Sequence, residues 1–188
     1  MRSEGLGFLE GFEGFVRRVV GCFNAVGLEY MFTGALAVSY YGRARTTTDV
    51  DVVVAVSDRE WRGKLVSSLK DAGIAVDEKK IDAAFKSGYK IVTFKDGKSP
   101  LTIDIILSEE KLKKRAGSVL GLPTFYQTPE DLILAKLRMI KATVPRERAL
   151  KDKEDVKAIL RFTKVNIEAV KKQAKKDNTS ALFDTLTR

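Results

Sequence analysis

The sequence contains no histidine and a single cysteine, Cys22. Without imidazole, neither a Ser-His-Asp triad nor a His-ligated zinc can be built from this chain. One thiol excludes a disulfide framework and a Cys-cluster zinc site, and it fits a reducing, cytoplasmic setting. No run approaches the roughly 20 consecutive apolar residues that span a bilayer, so no membrane association is expected. The first eleven residues mix Glu4 and Glu10 with scattered glycines and lack the charged-then-apolar order of a signal peptide. There is no Gly-x-x-x-x-Gly-Lys loop, which removes P-loop NTPases. The chemistry left to this chain is that of carboxylates, lysines and hard metal ions.

What is present is a soluble globular composition: 188 residues, 44% hydrophobic and 31% charged. That length suits one domain, or one domain with a small helical appendage. The net charge is +9, and it is unevenly placed. Residues 1–110 hold 15 Lys/Arg against 16 Asp/Glu, while residues 111–188 hold 19 against 9. A basic C-terminal part beside a neutral one suggests a polyanionic partner, nucleic acid or nucleotide phosphate, although a solvated lysine-rich helical surface gives the same count.

Phe8, Phe12, Phe15, Val16, Val19, Val20 and Phe23 recur at helical spacing, which predicts an amphipathic helix ending near Gly27. Tyr30 to Thr33 reads as a buried strand, Ala35 to Tyr41 as a short helix, and Asp49 to Val56 as a β-branched strand. A helix from about Asp58 to Ala72 follows, and the stretch Glu78 to Lys86 is ambiguous. Tyr89–Phe94 and Leu101–Leu107 form a hairpin around Asp96-Gly97-Lys98-Ser99-Pro100. Ser108 to Lys111 begins another helix, and Thr124 to Gln127 is a last short strand. Thr128-Pro129-Glu130-Asp131 is a helix start, with Thr as N-cap, and that helix stops before Pro145. Two or three more helices follow from about Lys151. The expected fold class is α+β (α/β): a small mixed sheet flanked by helices over residues 1–125, then a basic helical segment over 126–188.

Asp49 and Asp51 lie two apart in that strand, so their side chains leave the same face, flanked by Val50 and Val52 on the other. Two carboxylates so placed repel unless a cation lies between them. Asp104 interrupts a second apolar strand between Ile103 and Ile105. Three acids in strand interiors ask for a metal or for basic partners, and oxygen ligands without His or Cys favour Mg²⁺ or Mn²⁺. Cys22, on the apolar face of the first helix, reads as packing.

The block Phe32-Thr33-Gly34-Ala35, then thirteen residues, then Asp49-Val50-Asp51-Val52 resembles the signature of the polymerase-β-like nucleotidyltransferases, with Asp104 as the third acid. Within that superfamily, Arg45-Thr46-Thr47-Thr48-Asp49 is similar to the motif of the AbiE-type branch, found in toxin–antitoxin pairs. So are Pro129-Glu130-Asp131-Leu132 with Lys136, and Lys151-Asp152-Lys153-Glu154-Asp155. The resemblance covers about residues 30 to 160. It implies a nucleotide-binding, magnesium-dependent transferase in which Asp49, Asp51 and Asp104 are catalytic and hold the metal. Thr33, Gly34, Ala35, Arg45 and Lys136 would then contact the nucleotide. Ala35 departs from the pattern, which has Gly or Ser there, and it leaves only a backbone N–H for phosphate. Read without the resemblance, Lys136 is an exposed lysine, Arg43 and Arg45 sit on a loop where they either neutralise phosphate by fork-like contacts or are simply solvated, and Asp152 and Asp155 dress a helix N-terminus.

Three functions compete. The first is a nucleotidyltransferase that moves a nucleoside monophosphate from an NTP to a hydroxyl acceptor, RNA such as tRNA or a protein, bound by the basic C-terminal helices. The second is a catalytically weak nucleotide- or RNA-binding module of the same fold, in a toxin–antitoxin pair. The third is a small-molecule enzyme of the kind that adenylylates aminoglycosides. It shares the acids but calls for an acidic acceptor cleft, against the charge of this chain. The sequence leaves the nucleotide, the acceptor and any oligomeric state open.

Overall fold

Seven residues with valine at four positions, Asp49–Ala55, form a central strand because β-branched side chains suit a pleated surface covered on one face. The computed structural model describes residues 3–144 and 149–187, with the backbone alone for residues 3–10. Phe8 of the expected apolar stripe and Pro145, the expected helix stop, therefore lie outside the described side chains and residues respectively. The chain divides into two units, Met1–Thr33 with Thr47–Tyr126, and Gly34–Thr46 with Gln127–Arg188.

The first unit begins with α1 (Ser3–Ala25), whose Phe15, Val16, Val19, Val20 and Phe23 are wholly buried. It continues through β1 (Tyr30–Phe32), then β2 (Asp49–Ala55), α3 (Trp61–Asp71), α4 (Glu78–Lys86), β3 (Ile91–Lys95), β4 (Thr102–Ser108), β5 (Lys114–Val119) and β6 (Leu122–Gln127). The helix between β1 and β2, α2 (Gly34–Tyr41), belongs to the second unit. The six strands make one mixed sheet in the order β3-β4-β2-β1-β6-β5. β2 runs parallel to β4 and antiparallel to β1, and β1 runs parallel to β6.

One face of the sheet is core. Val50, Val52, Val54, Ile103, Ile105, Val92, Phe94, Tyr30 and Phe32 are all buried there, and Phe23 of α1 meets the Tyr30 ring edge-on at 5.1 Å. The Tyr30 hydroxyl joins Thr124 at 2.9 Å and donates to Asn24 at 3.1 Å, so a buried polar tip is satisfied while its ring fills the core. At the β3–β4 turn, the buried carboxylate of Asp96 accepts from Arg18 at 2.7 Å and from Ser99 at 2.6 Å. Arg18 also donates to the Ala72 carbonyl, which ties α1, the end of α3 and the hairpin turn together.

The expected helix at Ser108 to Lys111 is not formed. The chain turns there and enters β5, which joins β6 through Leu120-Gly121, both at positive φ (51° and 80°). That is the two-residue geometry that matches strand twist. Leu-Gly is a weak turn signal beside Asn-Gly, and the half-exposed Lys-Arg-Ala-Gly-Ser-Val strand shows no clean alternation, so the hairpin left little trace in the sequence. The ambiguous stretch resolves as α4, capped by Asp77, whose side chain accepts from the Lys79 amide.

The second unit packs α2 with α5 (Pro129–Ala142), α6 (Leu150–Phe162), α7 (Ile167–Lys176) and α8 (Ser180–Leu186). Leu132, Ile133, Leu137, Val156, Ile159, Val170, Ala174 and Phe183 are buried. Thr128 caps α5 through the Asp131 amide, as its sequence predicts. Gly42, just past α2, lies against α6: a Cβ there would stand 3.0 Å from the Ala158 carbonyl carbon and 3.2 Å from the Ile159 amide nitrogen. Backbone cannot step aside as a side chain can, so Gly42→Ala is expected to cost about 1–3 kcal/mol, read as a lower melting temperature.

Candidate active site

Adjacent strands place paired residues on the same face, and the β2–β4 register pairs Asp51 with Asp104 and Asp49 with Thr102. The two acids therefore face the same way, about 4.8 Å apart at the backbone. Asp49 follows one step along β2 and is exposed, while Asp51 and Asp104 are half-buried. This face is apolar at its other end, where Met31, Val53, Ala55 and Leu112 cluster with Ile106 and Phe125. The sheet thus passes from an oily half to an acidic half on one surface. Like charges directly opposite one another across strands are destabilising, so the pairing is a cost that the fold itself does not require.

Hydroxyls hold the flanking acids. Asp49 Oδ1 accepts from Thr48 at 2.9 Å and Thr102 at 3.2 Å, and Asp104 Oδ1 accepts from Thr93 at 2.5 Å. Thr102 shares the period-two alternation of Asp104, a signal present in Leu-Thr-Ile-Asp-Ile. Thr93 depends on a β3–β4 register that alternation does not give. Thr33 is buried, and its amide donates to the Asp51 carbonyl at 3.0 Å, extending the β1–β2 ladder by one bond.

Among the described residues, no three acidic side chains stand close enough to cage a cation. Mg²⁺ does not need such a cage, because it binds through one or two carboxylates and completes its shell with phosphate oxygens and water. Asp51 and Asp104, with Asp49 one step away and no nitrogen or sulfur donor in the set, fit an ion of that kind.

The second unit holds the remaining expected residues. Gly34 opens α2 at φ +55°, a left-handed conformation that costs other residues roughly 1–2 kcal/mol. Ala35 is buried at 2% exposure. Lys136, expected on the surface from periodicity, is 5% exposed. Its ammonium lies 2.8 Å from Asp152 Oδ1 and 2.7 Å from Asp155 Oδ2. Arg45 Nη2 lies 3.3 Å from the same Asp155 oxygen, so Arg45, Lys136, Asp152 and Asp155 form one network with two charges of each sign. Arg45 keeps two buried donors, Nε and Nη1, with no acceptor among the described residues. Arg43 is exposed. Elsewhere, partial burial pushes the Cys22 thiol above its ordinary pKa, which leaves it a poor nucleophile.

No protein-family model matches the chain, and no curated protein matches its sequence significantly. Its fold is similar to the solution structure of the antibiotic-resistance factor ANT(2'')-Ia, with a TM-score of 0.64 at 13% identity over 94% of this chain and 97% of that one. It is similar as well to the crystal structure of ANT(2'')-Ia in complex with adenylyl-2''-tobramycin, with a TM-score of 0.62 at 12% identity over 95% and 99%. Together with the mixed six-stranded sheet and its flanking helices, these likenesses show that the chain has the α+β fold of ANT(2'')-Ia.

Proposed function

We propose that the protein is a divalent-metal-dependent nucleotidyltransferase that moves a nucleoside monophosphate from an NTP to a hydroxyl acceptor. The observation that carries this is the register that sets Asp51 opposite Asp104, with Asp49 beside them, on an accessible sheet face. In the reaction the acceptor oxygen bonds to the α-phosphorus while the bond from that phosphorus to the pyrophosphate oxygen breaks. A bound Mg²⁺ or Mn²⁺ would neutralise charge building on the phosphates. Asp51 and Asp104 would hold the ion, with Asp49 one step along the strand, and Asp104 would help take the proton leaving the acceptor hydroxyl. Thr33, Gly34, Ala35, Arg45 and Lys136 are the proposed nucleotide contacts. The two orphaned Arg45 donors suit an anionic oxygen, since buried donors are seldom left unmade. Incubating the pure protein with each α-labelled NTP, Mg²⁺ and total RNA or protein tests the reading, and failure to label any acceptor would refute it.

The acceptor we favour is RNA. The second unit carries 17 Lys/Arg against 9 Asp/Glu, and Lys171, Lys172, Lys175 and Lys176 are exposed on α7 opposite the buried Val170 and Ala174. The ANT(2'')-Ia crystal structure is a complex with adenylyl-2''-tobramycin, and an aminoglycoside acceptor calls for an acidic cleft, against the charge of this unit. Four lysine–phosphate contacts on single-stranded RNA give a salt slope near −3, so affinity should fall about 50-fold between 50 and 200 mM salt. Changing the four lysines to Gln should flatten that slope in a filter-binding titration. A variant as salt-sensitive as the wild type would remove α7 from the acceptor site.

A second reading, a weakly catalytic nucleotide- or RNA-binding module of a toxin–antitoxin pair, is favoured by two observations. Ala35 offers no hydroxyl, and Lys136 is already engaged by two carboxylates. RNA binding without label transfer would select it.

A further inference from the structure

The acidic face of the sheet is organised in rows that run across three strands. Thr93, Asp104 and Asp51 form one row, because β3 pairs Thr93 with Asp104 and β2 pairs Asp51 with Asp104. Lys95, Thr102 and Asp49 form the next, and Ile91, Ile106 and Val53 form the row on the other side. In each polar row a threonine hydroxyl donates to the acid in the middle or at the end. Of these bonds, the one from Thr93 to Asp104, at 2.5 Å, is the shortest.

We propose that Thr93 is the positioning residue for Asp104, fixing its carboxylate so that one oxygen is engaged and the other is left to the reaction. This rests on the transferase reading above. The backbone of β4 does not set that orientation, because the terminal torsion of an aspartate is broad. Repulsion from Asp51 alone would swing the group away across the row. Thr93 supplies the missing constraint. Its χ1 is stiff, its strand is paired to β4 over five residues, and an O–H···O⁻ bond is among the strong hydrogen bonds. Thr93 is exposed and could spend its hydroxyl on solvent, yet it donates to the acid. Supporting residues of this sort are commonly worth 10- to 100-fold in metal affinity or activity.

The test uses the full chain as wild type, Thr93→Val and Thr93→Ser. Valine keeps the β-branched shape and removes the hydroxyl, whereas serine keeps the hydroxyl. Mn²⁺ dissociation constants are read by electron paramagnetic resonance with a non-hydrolysable ATP analogue, beside kcat, acceptor KM and a thermal melt. Thr93→Val should weaken Mn²⁺ about tenfold and lower kcat by a similar factor, with acceptor KM and melting temperature unchanged. Thr93→Ser should return both to within about twofold of wild type. A valine variant that binds Mn²⁺ and turns over like the wild type overturns the assignment and leaves the transferase reading standing. A serine variant as impaired as valine also overturns it, since shape and not the hydroxyl would then be responsible. A wild type that binds no Mn²⁺ overturns both.

Discussion

Asp104→Asn is expected to lower nucleotidyl transfer by about three orders of magnitude, roughly 4 kcal/mol of barrier, with a melting temperature equal to or above that of the wild type. The two effects have opposite signs for one reason. Asparagine has the shape of aspartate and keeps a carbonyl oxygen for the Thr93 hydroxyl, so β4 and its neighbours are undisturbed. What it removes is the charge directly opposite Asp51, and relieving a like-charge cross-strand pair returns about 0.2–1 kcal/mol to the fold. A residue kept at a cost to stability is one whose charge serves something other than folding. Transfer assays and calorimetry on the same preparation decide the matter. If Asp104→Asn keeps transfer within tenfold of wild type, Asp104 is not a catalytic carboxylate. If it melts well below wild type, the charge is a structural one.

The sequence made the acids legible because alternation is a strict geometric rule. Asp49, Asp51 and Asp104 each stand where a strand of valines or isoleucines leaves one side to carry charge, and that reading needs no knowledge of which strand lies next to which. Register was not legible. That Asp51 faces Asp104 depends on pairing two strands whose partners lie 53 residues apart. That Thr93 closes the row depends on the register of the β3–β4 hairpin, which alternation alone leaves open. The β5–β6 hairpin was missed because Leu120-Gly121 supplies two positive φ values without the usual asparagine or aspartate. Lys136 misled in a different way. A lysine among the apolar positions of α5 reads as surface, because burying an ammonium alone costs several kcal/mol. Its partners, Asp152 and Asp155, lie on α6, and each looks like an ordinary acid near a helix N-terminus.

Lys136→Met should therefore be strongly destabilising, costing about 3–5 kcal/mol and lowering the melting temperature by on the order of 10 °C. Lys136 and Asp155 are each 5% exposed, so water cannot repair the loss, and Asp155 would retain only the longer contact to Arg45 at 3.3 Å. The penalty is chiefly the stranded negative charge, not a missing contact. Lys136→Met with Asp152→Asn removes one charge of each sign and leaves the Arg45–Asp155 pair in place. That double variant should recover a large part of the stability, and a double-mutant cycle measures the coupling. Both melts are run without nucleotide, so that any affinity of Lys136 for phosphate does not enter. A lysine that served only a triphosphate would give the reverse pattern: an unchanged melt for Lys136→Met, no benefit from Asp152→Asn, and an NTP KM raised about tenfold, as expected when one charge-assisted bond of roughly 1.5 kcal/mol is lost.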